Sequence, residues 1–169
     1  MLMILFSDKE WTKLTYAEHL KMVERVAKGF IALGLEESHS VGVMANNCVQ
    51  WTTSSHAAMF AGGLICGIYQ TSSADVVSHL ARMSDMDILI VENLAMLKQA
   101  LGHEYILECK VGPKLTIKQA LPSVKVCIMI NGTDEDLKMG NFLFYETSVN
   151  KICCGLGRIM IPIFSSISL

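Results

Sequence analysis

Ser38-His-Ser-Val41-Gly-Val-Met-Ala45-Asn46-Asn47-Cys48-Val-Gln-Trp51-Thr-Thr-Ser-Ser-His56-Ala-Ala-Met-Phe-Ala61-Gly62-Gly63-Leu64-Ile-Cys66-Gly67-Ile-Tyr69-Gln-Thr71-Ser72-Ser73-Ala74 contains no Asp, Glu, Lys or Arg. Residues 41–45 read as a short buried strand, with Asn46-Asn47 as turn and helix cap. Residues 48–61 have helical length and stop at Gly62-Gly63, which are expected to let Leu64 enter the centre of a sheet, one of them at positive φ. Residues 64–69 read as a second buried strand. Ser72 or Ser73 then caps a helix to about Met83, with Asp75 near the positive end of its dipole. Residues 88–91 form a third strand, and Asn93 caps a helix through Leu101, with Gly102 after it. Strands beginning at Val41, Leu64 and Ile88, with helices between them, are the signature of βαβ crossovers. Strands this poor in charge fit a parallel sheet covered on both faces. The fold class is therefore α/β with a mainly parallel sheet.

Upstream, Thr15-Tyr-Ala-Glu18 has the form of a capping box. Leu20, Val23, Ala27, Phe30 and Gly34 follow at spacings of three and four, and Glu18, Lys21, Glu24, Arg25 and Lys28 lie largely on the other side. This predicts an amphipathic helix closed by Gly34. Downstream, residues 124–130 form a fourth strand ended by Asn131-Gly132, and residues 102–122 have no clear pattern. The tail 150–169 carries Lys151 and Arg158, no acid, and the apolar run Ile159-Met-Ile-Pro-Ile-Phe164. It reads as a strand or an irregular extension, and a membrane-touching tail acylated at Cys153 or Cys154 has no further support.

A chain of 169 residues is sized for one domain. With 51% hydrophobic residues and a net charge of −2 it has neither the composition of a disordered chain nor the basic stripe of a nucleic-acid binder. Mean hydropathy is +0.40, yet the longest apolar run, residues 57–69, is short of the roughly twenty residues a bilayer span needs. Residues 1–6 are apolar but lack the basic start of a signal peptide. Cys48, Cys66, Cys109 and Cys127 are scattered, and Cys153-Cys154 are adjacent. None has zinc spacing, so free thiols in a reducing compartment, the cytoplasm, are expected.

Neither G-x-G-x-x-G nor G-x-x-x-x-G-K-[ST] occurs, and Gly155-Leu-Gly157-Arg158 lacks the context of a phosphate loop. Thr71-Ser72-Ser73 offers hydroxyls at a helix start, a modest anion site that simple capping explains as well. His56 is expected to be structural rather than a catalytic base. Asp85 and Asp87 read as solvated turn residues at a strand entry. The five histidines, at 19, 39, 56, 79 and 103, are widely spaced, and spacing nominates no catalytic, cofactor-binding or metal-binding residue.

Trp11-Thr-Lys-Leu-Thr-Tyr16-Ala-Glu18, Ala27-Lys-Gly-Phe-Ile-Ala-Leu-Gly-Leu35, Val41-Gly-Val-Met-Ala-Asn-Asn-Cys-Val-Gln-Trp51, Ala61-Gly-Gly-Leu-Ile-Cys-Gly-Ile-Tyr-Gln-Thr-Ser72 and Asp87-Ile-Leu-Ile-Val-Glu-Asn93 together resemble the large domain of AMP-forming acyl-CoA synthetases, the adenylate-forming superfamily. His39 before Val41-Gly-Val, and Gly67-Ile-Tyr-Gln-Thr, most resemble the bubblegum-type long-chain enzymes. The resemblance covers residues 9–149. It implies the first α/β subdomain of that large domain and a division into residues 1–149, a partial AMP-binding-enzyme domain, and 150–169, a divergent apolar tail. It also implies a family reaction in which ATP activates a long-chain fatty acid and coenzyme A displaces AMP, with magnesium. The family's Thr/Ser/Gly-rich phosphate loop ending Pro-Lys-Gly is expected just after Val149, and residues 150–169 do not contain it. No family residue can be assigned to catalysis here. The expectation is a fragment of a fatty acid–CoA ligase, inactive alone. The alternatives are a non-catalytic module that pairs with a full-length synthetase or a membrane surface, and a small binding protein using the Thr71–Ser73 loop.

Overall fold

Thr15 ends one element and starts the next. The computed structural model describes residues 2–7, 10–102, 120–131 and 142–144. Strands β1 (Leu2–Ser7) and β2 (Glu10–Thr15) form an antiparallel hairpin in register from Leu2 opposite Thr15 to Ser7 opposite Glu10. The capping box opens helix α1 (Tyr16–Ala32): the Glu18 N–H donates to Thr15 Oγ1 at 3.2 Å, and Thr15 N–H and Oγ1 donate to Glu18 Oε2 at 2.8 and 2.7 Å. The backbone and hydroxyl of Thr15, joined by the charge of Lys21, hold the Glu18 carboxyl below its ordinary range despite some desolvation. At the other end Gly34 has φ +89, its N–H donates to Ile31 O, and the Leu35 N–H donates to Phe30 O. That pair of bonds is a Schellman motif, and the left-handed φ it needs explains glycine there. The buried stripe of α1 is His19, Val23, Val26, Ala27 and Phe30. Leu20, expected on it, is exposed.

The main sheet has the order β4-β3-β5-β6-β7, and every neighbouring pair is parallel. Its elements are β3 (Ser40–Met44), α2 (Val49–Phe60), β4 (Leu64–Gly67), α3 (Ala74–Met83), β5 (Met86–Val91), α4 (Leu94–Leu101), β6 (Val126–Met129) and β7 (Phe142–Phe144). The expected α/β class with a parallel sheet is what forms. On one face, Val41, Val43, Ile88, Ile90 and Ile128 pack against Val23, Phe30, Ala57 and Ala58 of α1 and α2. On the other, Met44, Met86, Leu89, Val91, Cys127 and Met129 pack against Val77 and Ala81 of α3 and Leu97, Ala100 and Leu101 of α4. Burial of the strands from both sides is why apolar side chains fill these two faces.

Strict alternation would put Met86 on the same face as Ile88 and Ile90. Instead Ser40 pairs with Met86 and Val41 with Ile88, so Asp87 is the extra residue of a bulge. The slip sends Met86 to the opposite face, into the space that the missing side chain of Gly42 leaves, and turns Asp87 to the rim.

The second strand differs from expectation. β4 lies at the edge of the described sheet, with Leu64 55% and Tyr69 85% exposed. Leu64 therefore enters the sheet at its border, not its centre. Gly62, at φ +82, is the left-handed residue. Gly63 is needed for another reason: a Cβ there would lie 2.9 Å from the His39 carbonyl oxygen and 3.0 Å from Leu35 Cδ2. Gly63→Val is expected to cost about 2 kcal/mol through that overlap, and Gly62→Ala about 1 kcal/mol through its φ alone. Urea unfolding of the two variants checks the order, and an unchanged midpoint for Gly63→Val would refute the close approach. The tail 150–169 and most of 102–122 lie outside the described residues, as do Cys109, Cys153 and Cys154.

Candidate functional site

Parallel α/β sheets bind ligands beyond the carboxyl ends of their strands, where successive connections leave in opposite directions. That switch falls between β3, which connects through α2 to β4, and β5, on the other side of β3. Asn46 follows β3 and Glu92 follows β5, and the two meet across the switch. Asn46 N–H and Nδ2 each donate to Glu92 Oε2 at 2.7 Å. Gln70, beyond β4, donates from Nε2 to Asn46 Oδ1 at 2.6 Å. Gln99 of α4 donates from Nε2 to the carbonyls of Gln70 and Ser72 at 2.6 and 2.9 Å. One carboxylate and three amides thus tie three loops together.

This differs from the expected local chemistry. Asn46-Asn47 do not cap α2; Cys48 is the N-cap residue, without a side-chain cap bond, because the Glu92 carboxylate draws Asn46 away. Ser73 is the N-cap of α3 but makes no side-chain cap bond either, and Asp75 does sit in its first turn. Asn93 caps α4 as expected, accepting from the Met96 N–H at 3.0 Å. Glu92, Gln70 and Gln99 were not legible as a group. The available signal was an acid, Glu92, directly beyond a buried strand and an amide, Gln70, just after the preceding one, with Gln99 on the helix that follows Glu92.

The crevice does not fit a polyphosphate. The groups joining its loops are amides and a carboxylate, Glu92 sits at the switch point itself, and the Asn46 amide and backbone donors are spent on that carboxylate. Among the described residues, an anion at the switch point meets the charge of Glu92, and the Asn46 donors it would need are already bound to that carboxylate.

At the opposite, amino-terminal end of the strands, Asp87 is not a solvated turn residue but 2% exposed. The bulge points it into a knot: the Glu36 N–H donates to Oδ2 at 2.9 Å, and Lys125 Nζ and His39 Nδ1 lie 2.9 and 3.2 Å from Oδ1. Lys125 also reaches Glu36 Oε1 at 2.5 Å and the Gly34 carbonyl at 3.0 Å. Burial pushes the Asp87 carboxyl up, but the Glu36 N–H, the Lys125 ammonium and His39 outweigh it and hold it below the ordinary carboxylate range. Burial pulls Lys125 down, and Glu36 and Asp87 more than reverse this. Asp85 does remain an exposed turn residue, at φ +44. Glu36, His39 and Asp87 present ligand atoms within 4.8 Å of one another. The ammonium of Lys125 already supplies the cation, and His39 turns different nitrogens to Asp87 and Glu36, so the knot is a structural pin.

Cys48, Cys66 and Cys127 are free thiols, in line with expectation. Burial pushes Cys127 up to about 12, and burial also raises Cys48 against the N–H groups of Trp51 and Gln50, so neither is an activated nucleophile. His56 is exposed and lies against His19. Among the described residues no helix is long and apolar enough to cross a membrane.

The architecture has relatives among solved structures. The anthranilate CoA ligase AuaEII in complex with anthranoyl-AMP superposes with a TM-score of 0.64 at 16% identity, over 86% of this chain and 23% of that one. A long-chain-fatty-acid CoA ligase of Rhodopseudomonas palustris, described as putative, gives 0.60 at 16% identity, over 81% and 30%. In sequence, the chain is 38% identical over 92 residues to the long-chain-fatty-acid–CoA ligase ACSBG2 of Xenopus laevis, covering 54% of this chain and 12% of that protein. It is 29% identical over 125 residues to the long-chain-fatty-acid–CoA ligase heimdall of Drosophila melanogaster, covering 74% and 16%. The chain therefore spans well under a fifth of the length of these curated relatives. The profile of the family described as AMP-binding enzyme matches residues 3–142, a span that runs from within β1 to the first residue of β7. The chain belongs to the AMP-binding enzyme family.

Proposed function

We propose that this chain is a portion of a long-chain fatty acid–CoA ligase that supplies scaffold and no chemistry. It does not form acyl-adenylate alone. The observation that carries this reading is the crevice at the β3–β5 switch, where Glu92 and its amide partners occupy the position an anion site would need. The sequence agrees, since no Gly/Ser/Thr-rich loop leads to a lysine anywhere in residues 1–169. Adenylation requires groups that hold a polyphosphate and neutralise charge as pyrophosphate leaves. ATP and magnesium would therefore be held by other parts of a complete ligase. ATP–pyrophosphate exchange with the purified chain and a long-chain fatty acid is expected to match a buffer blank. Exchange proportional to added protein would overturn the reading.

A second reading, pairing with a full-length synthetase, is favoured by exposed apolar side chains near the sheet's edge. Phe60 is 61% exposed, and Met59, Leu64 and Tyr69 are exposed as well. Such patches attract partners or promote aggregation. Light scattering of the chain mixed with a purified full-length relative is expected to show a defined complex if this holds, and two unassociated species if it does not.

A further inference from the structure

The seam between α1 and α2 holds two histidines that neither the fold nor the proposed scaffold role requires. His19 is 6% exposed, and its Nε2 is buried with no hydrogen-bond partner. Buried polar atoms are nearly always satisfied, so an orphaned imidazole nitrogen points to a missing partner. The ring of His56 lies 5.3 Å from that of His19, centre to centre, and nearly perpendicular to it at 74°. His56 is exposed, so its side reaches solvent.

We propose that His19 and His56 form a two-imidazole site for a divalent first-row transition-metal ion of the Zn2+ or Ni2+ kind, clamping α1 to α2. Imidazole nitrogens bind such ions at about 2.0–2.1 Å. The centre of each ring then lies about 3.2 Å from the ion, and a tetrahedral angle places the two centres about 5.2 Å apart. The two rings pack edge to face at 5.3 Å, within the range that one ion can bridge with both helices where they stand. Rotation of the exposed His56 side chain aims its lone pair at the ion, and water entering from its side completes the coordination. The other cluster of metal-binding types, Glu36, His39 and Asp87, already contains an ammonium.

The thermal midpoint of the 169-residue chain, measured with and without Ni2+, tests the proposal. Saturating Ni2+ is expected to raise the midpoint by about 4 °C, since an ion that binds only the native state stabilises it. His56→Gln, at an exposed position, is expected to leave the metal-free midpoint in place and abolish the rise. His19→Gln abolishes it too if that variant folds, and His39→Gln retains it. A rise that survives His56→Gln, a rise lost with His39→Gln, or no rise in the parent chain overturns the proposal.

Discussion

Phe30→Ala is expected to lower the stability of this chain by about 4 kcal/mol, the range for emptying a well-packed aromatic site. Phe30 has no exposed surface and sits between α1 and the face of the sheet formed by Val41, Val43, Ile88 and Ile90. Its carbonyl also accepts the Leu35 N–H that closes the helix, so the side chain fixes the same turn the backbone does. A domain of this kind has about 5–15 kcal/mol in total, and the variant is expected to be largely unfolded near the parent's thermal midpoint. Equilibrium urea unfolding reads the loss as a lower midpoint with an unchanged slope. A loss below about 1 kcal/mol would mean that α1 does not seat on this face.

Asp87→Ala is expected to cost about 3 kcal/mol, because it leaves the Glu36 N–H and the Lys125 ammonium without their buried acceptor. The exposed half of Lys125 keeps the figure below that for a fully buried pair. Asp87→Asn retains one acceptor oxygen and is expected to cost less. The pH dependence has a definite sign. The folded pKa of Asp87 is depressed, so its contribution is complete above the unfolded carboxylate pKa of about 3.9 and is lost as pH falls through the lower folded value. The parent chain should therefore lose stability in acid more steeply than Asp87→Ala, the difference between the two isolating this carboxyl from all others. Parallel curves between pH 6 and 2.5 would show that the knot does not hold Asp87 ionised.

Local signals and long-range ones divide this molecule cleanly. The capping box at Thr15 and Glu18, the closure of α1 at Gly34, the Asn93 cap and the charge-free strands around Val41 and Ile88 were legible because each is decided within a few residues. Such signals are backbone geometry or the simple need to keep charge out of a covered sheet. They were enough to identify the α/β class, and the combination of short motifs was enough to point to the AMP-binding family. The hairpin of β1 and β2 was not legible, since two short strands satisfy each other's backbone with little hydrophobic alternation to announce it.

What tertiary structure alone decided is where each side chain looks. The same charge-free composition served a central strand, β3, and an edge strand, β4, because sheet order is set by crossovers and not by the residues of one strand. Asn46 abandoned a local cap for Glu92, and Asp87 left solvent for Lys125 and the Glu36 N–H. In both cases a charged group distant in sequence offered a stronger hydrogen bond than the local alternative. His19 and His56, 37 positions apart, meet only because α1 and α2 cover the same face of the sheet. Sequence by itself determined the succession of helices and strands from α1 to β6, their class and their kinship. The bulge at Asp87, the amide bonds to Glu92 and the histidine pair came from packing, because only the assembled sheet brings their partners within bonding distance.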